Sequence, residues 1–199
     1  MKSSITVAKG KRVVAGGMLA MAASLFLAGC VVTSVYPFYT EKDLVFDPSL
    51  LGEWVDASAT NTPNEFIRIS QLGEKGYAVT AVGEKETSCG DFYLFRLKDY
   101  LFADKCATNR SLDYLPVHQV SKVQRLDTVV ETANLNYDWL SNLIEKNPKA
   151  IRHTVVHDKP GDNGRIVLTA DTKELQRFIL KHINNTNAWN ETSTIRRRH

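Results

Sequence analysis

The sequence predicts a mainly β, α+β domain: an antiparallel, barrel-like sheet with two packing α-helices. Three observations carry this reading. Six short runs rich in β-branched and aromatic residues follow one another at 65–72, 77–82, 91–95, 100–105, 117–124 and 127–133, and short strands at such spacing indicate an antiparallel sheet, sandwich or barrel. In the central hairpin, Tyr93 and Phe95 point to one face while Phe92 and Leu94 point to the other. Both faces are apolar and both need cover, one facing a barrel interior and one lying beneath a helix. Two later segments then show helical spacing.

The elements follow in order. Asp47-Pro48 is a turn-like opener to Leu50-Leu51-Gly52-Glu53-Trp54-Val55, the first strand-like stretch. Polar or Gly-containing breaks such as Gly73-Glu74-Lys75-Gly76 separate the first of the runs after it. The spacing predicts a first helix over 137–145, with Asn136 as N-cap, Pro148 as stop and Trp139, Leu140, Leu143 and Ile144 as its apolar stripe. Residues 152–157 and 165–169 read as strands joined by a Pro/Gly-rich turn at 160–164. Asp171 and Glu174 have the D-x-x-E form of a capping box, and Leu175, Phe178, Ile179, His182 and Ile183 recur behind it at helical spacing. The segment 185–199 is polar and ends in Arg196-Arg197-Arg198, which predicts a frayed, solvated tail.

The amino end reads differently. Lys2, Lys9, Lys11 and Arg12 are followed by a run, residues 13–27, that holds only apolar, Gly or Ser side chains. A charged n-region before an h-region of this length is the form of a secretory signal; the run is short of the roughly 20 apolar residues that span a bilayer. It ends in Leu27-Ala28-Gly29-Cys30, which resembles the lipobox of bacterial lipoproteins. That resemblance implies cleavage between Gly29 and Cys30, a diacylglyceryl group on the Cys30 thiol, and acylation of the freed amine by chains such as palmitate. Two or three chains at about 0.8 kcal/mol per buried CH₂ anchor a protein durably. In Gram-negative lipoproteins an Asp after the lipidated cysteine retains the protein in the inner membrane. Val31 stands there, so the resemblance implies an outer-membrane anchor facing the periplasm.

The organisation expected is therefore a signal peptide at 1–29, a lipidated tether at 30–40, one β-rich domain at 41–184 and a polar, basic tail at 185–199. A ten-residue tether reaches at most about 35 Å, which keeps the domain near the membrane. Of the 25 basic residues, four belong to the leader, which leaves 21 against 22 acids, a net charge of −1. The basicity belongs to the export signal, and nothing favours nucleic acid as a partner.

With Cys30 assigned to lipid, Cys89 and Cys106 remain as a pair. They flank the hairpin, and a four-residue loop at 96–99 sets them directly opposite one another, within disulfide range. A two-residue turn at Lys98-Asp99 shifts the register and misaligns them. His153 and His157 share a strand face about 13 Å apart at ~3.3 Å per residue, too far for one metal ion. His118 follows Pro116 at a strand start and reads as a hydrogen-bonded structural histidine. No G-x-S-x-G, H-E-x-x-H or phosphate-binding Gly loop occurs, so neither a catalytic residue nor a metal or cofactor site is expected.

Two resemblances complete the reading. The string SVYPFYTEKDLVFDPSLLGEW (34–54) resembles the start of a group of uncharacterised bacterial lipoproteins, with later echoes at 94–106, 115–118, 137–140 and 166–178; it brings no activity or site residue with it. Gly52-Glu53-Trp54 is similar to the G-x-W of lipocalins, which implies a Trp54 that closes one end of a barrel. The helix expected near residue 140 departs from lipocalin topology. The function expected is a membrane-anchored module, not an enzyme, that holds a small apolar or amphipathic ligand inside the sheet. The alternative is an envelope interaction protein acting through its surface.

Overall fold

The structure is a computed structural model that describes residues 32–58, 65–83, 87–107, 116–157 and 164–198. The expected leader, Gly29 and Cys30 lie outside the described residues. In chain order the strands are β1 (Thr33–Ser34), β2 (Leu44–Val45), β3 (Gly52–Asp56), β4 (Phe66–Leu72), β5 (Gly76–Val82), β6 (Thr87–Leu97), β7 (Tyr100–Ala107), β8 (His118–Leu126) and β9 (Val129–Asn134). Helix α1 (Tyr137–Lys146), strands β10 (His153–Val156) and β11 (Arg165–Leu168), helix α2 (Thr172–Lys181) and strand β12 (Ser193–Arg197) follow.

Strands β3 to β9 form an antiparallel meander, each paired with the next. Strand β12 then runs antiparallel between β9 and β3 and closes the sheet into an eight-stranded barrel. In general shape this is a lipocalin-like barrel. Outside it, β1 pairs with β8 and β11, β10 pairs with β11, and β2 pairs with β6. The expected mainly β, barrel-like fold with two helices is thus present.

Alternation along the strands sorts side chains into two cores. One is the barrel interior, with Trp54, Ile69, Tyr77, Leu94, Ala103 and Val130. The other lies between the barrel's outer wall and the helices, and includes Phe38, Phe95, Phe102, Leu140, Leu175 and Ile179. The two-faced hairpin supplies both: Phe92 and Leu94 go inside, Phe95 and Phe102 outside. The helices form as expected. The Asn136 side chain accepts from the Trp139 N–H at 2.8 Å, and Asp171 accepts from the Glu174 N–H at 3.0 Å. Glu174 does not complete a capping box; its carboxylate accepts from Arg152 Nε at 2.8 Å instead.

One end of the barrel is closed by the turn Pro48–Leu50. Trp54 is fully buried, and its indole N–H donates to the Leu50 carbonyl at 2.8 Å. The Arg197 guanidinium lies 4.7 Å from the Trp54 ring centroid and donates to the carbonyls of Leu51 and Ser49. Gly52 has φ +127°, and a Cβ there would stand 2.5 Å from Arg197 Nη1; only glycine accepts both the backbone angle and the arginine.

Three expectations are corrected. The segment expected as a tether is part of the domain: Val32 is buried, Ser34 pairs with both β8 and β11, and Phe38 is fully buried. The segment expected to fray is the closing strand. Trp189 is buried ahead of it, Arg196 and Arg197 hydrogen-bond within the sheet, and Arg198 donates to Glu53 at 2.9 Å. Polar composition misled there, because this strand takes its place from main-chain pairing with β3 and β9 rather than from an apolar run of its own. The hairpin turns in two residues, Lys98-Asp99, since Leu97 pairs with Tyr100. Cys106 therefore faces Asp91, and Cys89 sits two positions along on the diagonal. Diagonal neighbours are about 7–8 Å apart at Cα, beyond the usual reach of a disulfide, and none joins Cys89 to Cys106.

A chain ending at Asn190 lacks β12 and leaves β3 and β9 with open edges. Its thermal unfolding by circular dichroism is expected to lose cooperativity; a sharp transition at the full-length midpoint would refute the closing role of this strand.

Candidate functional site

The barrel interior carries an apolar cluster and a small polar one. Toward the end closed by Pro48–Leu50 it holds Trp54, Tyr77, Phe92 and Leu94, with the Tyr77 and Phe92 rings stacked at 4.5 Å and Phe46 on the other side of Tyr77 at 5.0 Å. Strand alternation also places the small residues Ala81, Gly90, Ala103 and Ser121 on the inner wall.

Lys105 lies on the same inner wall. It pairs with Phe92 across β6 and with Gln119 across β8, so it shares their inward face. It is 8 % exposed. Its Nζ donates to Asn134 Oδ1 at 3.1 Å, and the same oxygen accepts from Ser121 Oγ at 2.6 Å. An ammonium group has three donors, and a buried one is ordinarily paired with a carboxylate. Here its partner is a neutral carboxamide. Burial alone pushes Lys105 down to about 8, with no carboxylate acting to hold it up. A second interior demand is the buried Glu65 Oε2, which has no hydrogen-bond partner; Glu65 precedes β4 and contributes nothing to the Lys105 shift.

The outer wall carries a different cluster. Asp104, next to Lys105 in the chain, points the other way and is fully buried. Its carboxylate accepts from the Phe38 N–H at 2.8 Å and lies 2.8 Å from His118 Nδ1. Burial raises the Asp104 carboxyl, and the bonds from His118 and Phe38 oppose that rise. Tyr39 packs over Tyr93 at 5.2 Å, and burial together with the Asp104 charge pushes its hydroxyl far above the ordinary value. Cys106 pairs with His118 across β7 and β8. Burial, then Asp104 and Asp91, raise its thiol, which is the wrong direction for a nucleophile. This cluster pins the amino-terminal segment to the barrel: Gln176 Nε2 donates to the Phe38 carbonyl at 3.0 Å and to Asp43 at 2.9 Å, and Thr172 donates to the Pro37 carbonyl at 2.8 Å. His118 is the hydrogen-bonded histidine expected; the acid that holds it, fourteen residues away, is a tertiary partner.

Of the residues singled out from sequence, Trp54 lies at the closed end and Cys89 and Cys106 on one face of β6 and β7, away from Lys105. His153 and the neighbouring His157 fall on and just after β10. Among the described residues no group of three His, Cys, Asp or Glu side chains gathers to hold a metal ion. A cleft of about 270 Å³ lies on the surface between Ile151–Arg152 and α2, where Arg152 is paired with Asp171 and Glu174. Sequence reasoning missed Lys105; the available signal was a lysine at an inward position of a two-faced apolar hairpin. Comparison with family models, with curated proteins and with solved structures finds no match.

Lys105→Met is expected to stabilise the protein. With its folded value about 8 against an ordinary 10.5, the unfolded chain holds the proton more tightly. The cost is therefore fully present below pH 8 and is relieved as pH rises toward 10.5. It is on the order of 3 kcal/mol at neutral pH. Urea unfolding of wild type and variant checks this: the gap between them should narrow across that window, and a variant less stable than wild type at neutral pH would contradict it.

Proposed function

We propose that the chain is a lipoprotein of the bacterial cell envelope, held to the outer membrane by acyl chains on Cys30, whose periplasm-facing barrel binds a small amphipathic ligand. The observation that carries the binding reading is a polar cluster set within an apolar barrel interior. Lys105, Ser121 and Asn134 stand together on the inner wall beside aromatic and aliphatic side chains. Mostly apolar walls with a few placed polar groups are the usual lining of a small-molecule site. The anchor reading rests on the lipobox-like Leu27-Ala28-Gly29-Cys30. Only Val31 separates Cys30 from the buried Val32, so a domain anchored there sits directly on the bilayer surface.

A second reading has its own observation. Strand β10 has β11 on one side and is the terminal strand of the sheet among the described residues. Val155 and Val156 on it are each 39 % exposed. Such an edge accepts a strand from a partner protein, which favours an envelope interaction module.

Native mass spectrometry of the protein purified from its own envelope tests the first reading. A co-purifying small molecule and a fully acylated Cys30 are expected; an unmodified Cys30 behind an uncleaved leader would end the anchor proposal, and a ligand-free barrel the binding one. Crosslinking in intact cells tests the second: a product through β10 is expected under it, and a lone monomer counts against it.

A further inference from the structure

The surface cleft beside α2, about 270 Å³ in volume, is lined by four cations and one acid. We propose that it binds the dianionic phosphate of a phosphate monoester, at a site outside the barrel that does not depend on the binding reading above. On α2, Glu174, Arg177, Phe178 and Lys181 recur at the i, i+3, i+4 and i+7 spacing of one helical face. Lys149 and Arg152 meet them from the segment between α1 and β10. Arg177 and Lys181 stand four residues apart on the helix, where like charges repel. Among the described residues neither they nor Lys149 form an ion pair or a side-chain hydrogen bond. The fold gathers three exposed cations and leaves them uncompensated.

Arg152 is held differently. Glu174 Oε2 accepts from its Nε at 2.8 Å, and Asp171 Oδ2 accepts from its Nη2 at 3.2 Å. These bonds orient the guanidinium and occupy both carboxylates, while Nη1 keeps its donors. Four basic against two acidic side chains leave two positive charges at the cleft. A phosphate monoester carries about two negative charges above its second pKa of about 6, and arginine matches its oxygens in bidentate fashion. A diester or a carboxylate brings only one charge. Ile151 and Phe178 are buried and give the cleft an apolar floor, which solvated lysines scattered over a surface would lack. The volume of about 270 Å³ falls under the roughly 300 Å³ at which pockets for drug-sized ligands begin. The cleft is therefore sized for a small head group.

A phospholipid head and a soluble phosphate monoester carry the same group, and two titrants separate them. Isothermal titration calorimetry of the full-length chain in nonionic detergent, at constant salt and about pH 8 where the monoester is a dianion, compares glycerol 3-phosphate, dioctanoyl phosphatidic acid and the diester glycerophosphocholine. Wild type should bind at least one of the two monoesters about tenfold or more tightly than the diester. The tighter monoester names the source as soluble or lipid, and equal affinity means that the phosphate alone is read. Arg177→Gln and Lys181→Gln should each weaken that binding about tenfold, as loss of one charge-assisted hydrogen bond does. Lys75→Gln, at the exposed turn between β4 and β5, should leave it unchanged. Circular dichroism establishes that each variant is folded. Equal binding of monoester and diester, an equal loss in Lys75→Gln, or unchanged binding in both cleft variants would overturn the site, as would wild type that binds neither monoester. None of these outcomes touches the barrel reading.

Discussion

The architecture depends on one strand pairing, the insertion of β12 between β9 and β3. A sheet of seven meandering strands has two open edges, each a row of unmet N–H and C=O groups. Strand β12 satisfies both edges at once, and its Arg197 continues from the ladder to the Trp54 ring and the carbonyls of the closing turn. Closure is what separates an inside from an outside. Without it the inward residues of β4 and β7 would be solvated, and neither Trp54 nor Lys105 would have an environment to explain.

Closure also makes a two-faced sheet necessary. The barrel's inner wall has its own apolar cluster, and the outer wall of β6, β7 and β8 is covered by the amino-terminal segment and the helices. Asp104 and Lys105 show the consequence within two consecutive residues. Both are buried, yet alternation sends them to opposite walls, so the pair cannot neutralise itself across the chain. Asp104 meets an N–H and an imidazole and holds a structural segment in place. Among the described residues Lys105 meets only a carboxamide. The first is a completed structural contact; the second is an unmet electrostatic demand, and a barrel that retains such a residue does so at a cost to its own stability.

Most of the local grammar was legible from the chain. The strand runs of the meander, both helices, the Asn136 and Asp171 caps and the two-faced hairpin can be read because they are expressed in periodicity and in cap chemistry over a few residues. What was misread is equally specific. The amino-terminal segment reads as a short tether because it follows the lipobox-like cysteine, while the burial of Val32 and Phe38 depends on β8, β11 and α2 being in place. The segment after Asn184 looks like a solvated tail because polar and basic residues dominate it. Its strand character comes from neighbours that are more than sixty residues away for β9 and about 140 for β3.

The sequence by itself determined the antiparallel strands, the helix positions, the lack of a recognisable catalytic motif and the short apolar run before Cys30, all properties carried by residues close together in the chain. The tertiary structure alone decided the closure of the barrel, the two-residue turn that sets Cys106 against Asp91, and the side of the wall on which each charged residue falls. The physical reason is that register and closure are set by hydrogen bonding between distant segments. A shift of one residue in pairing turns every side chain to the other face, and no local pattern records which shift the whole sheet selects.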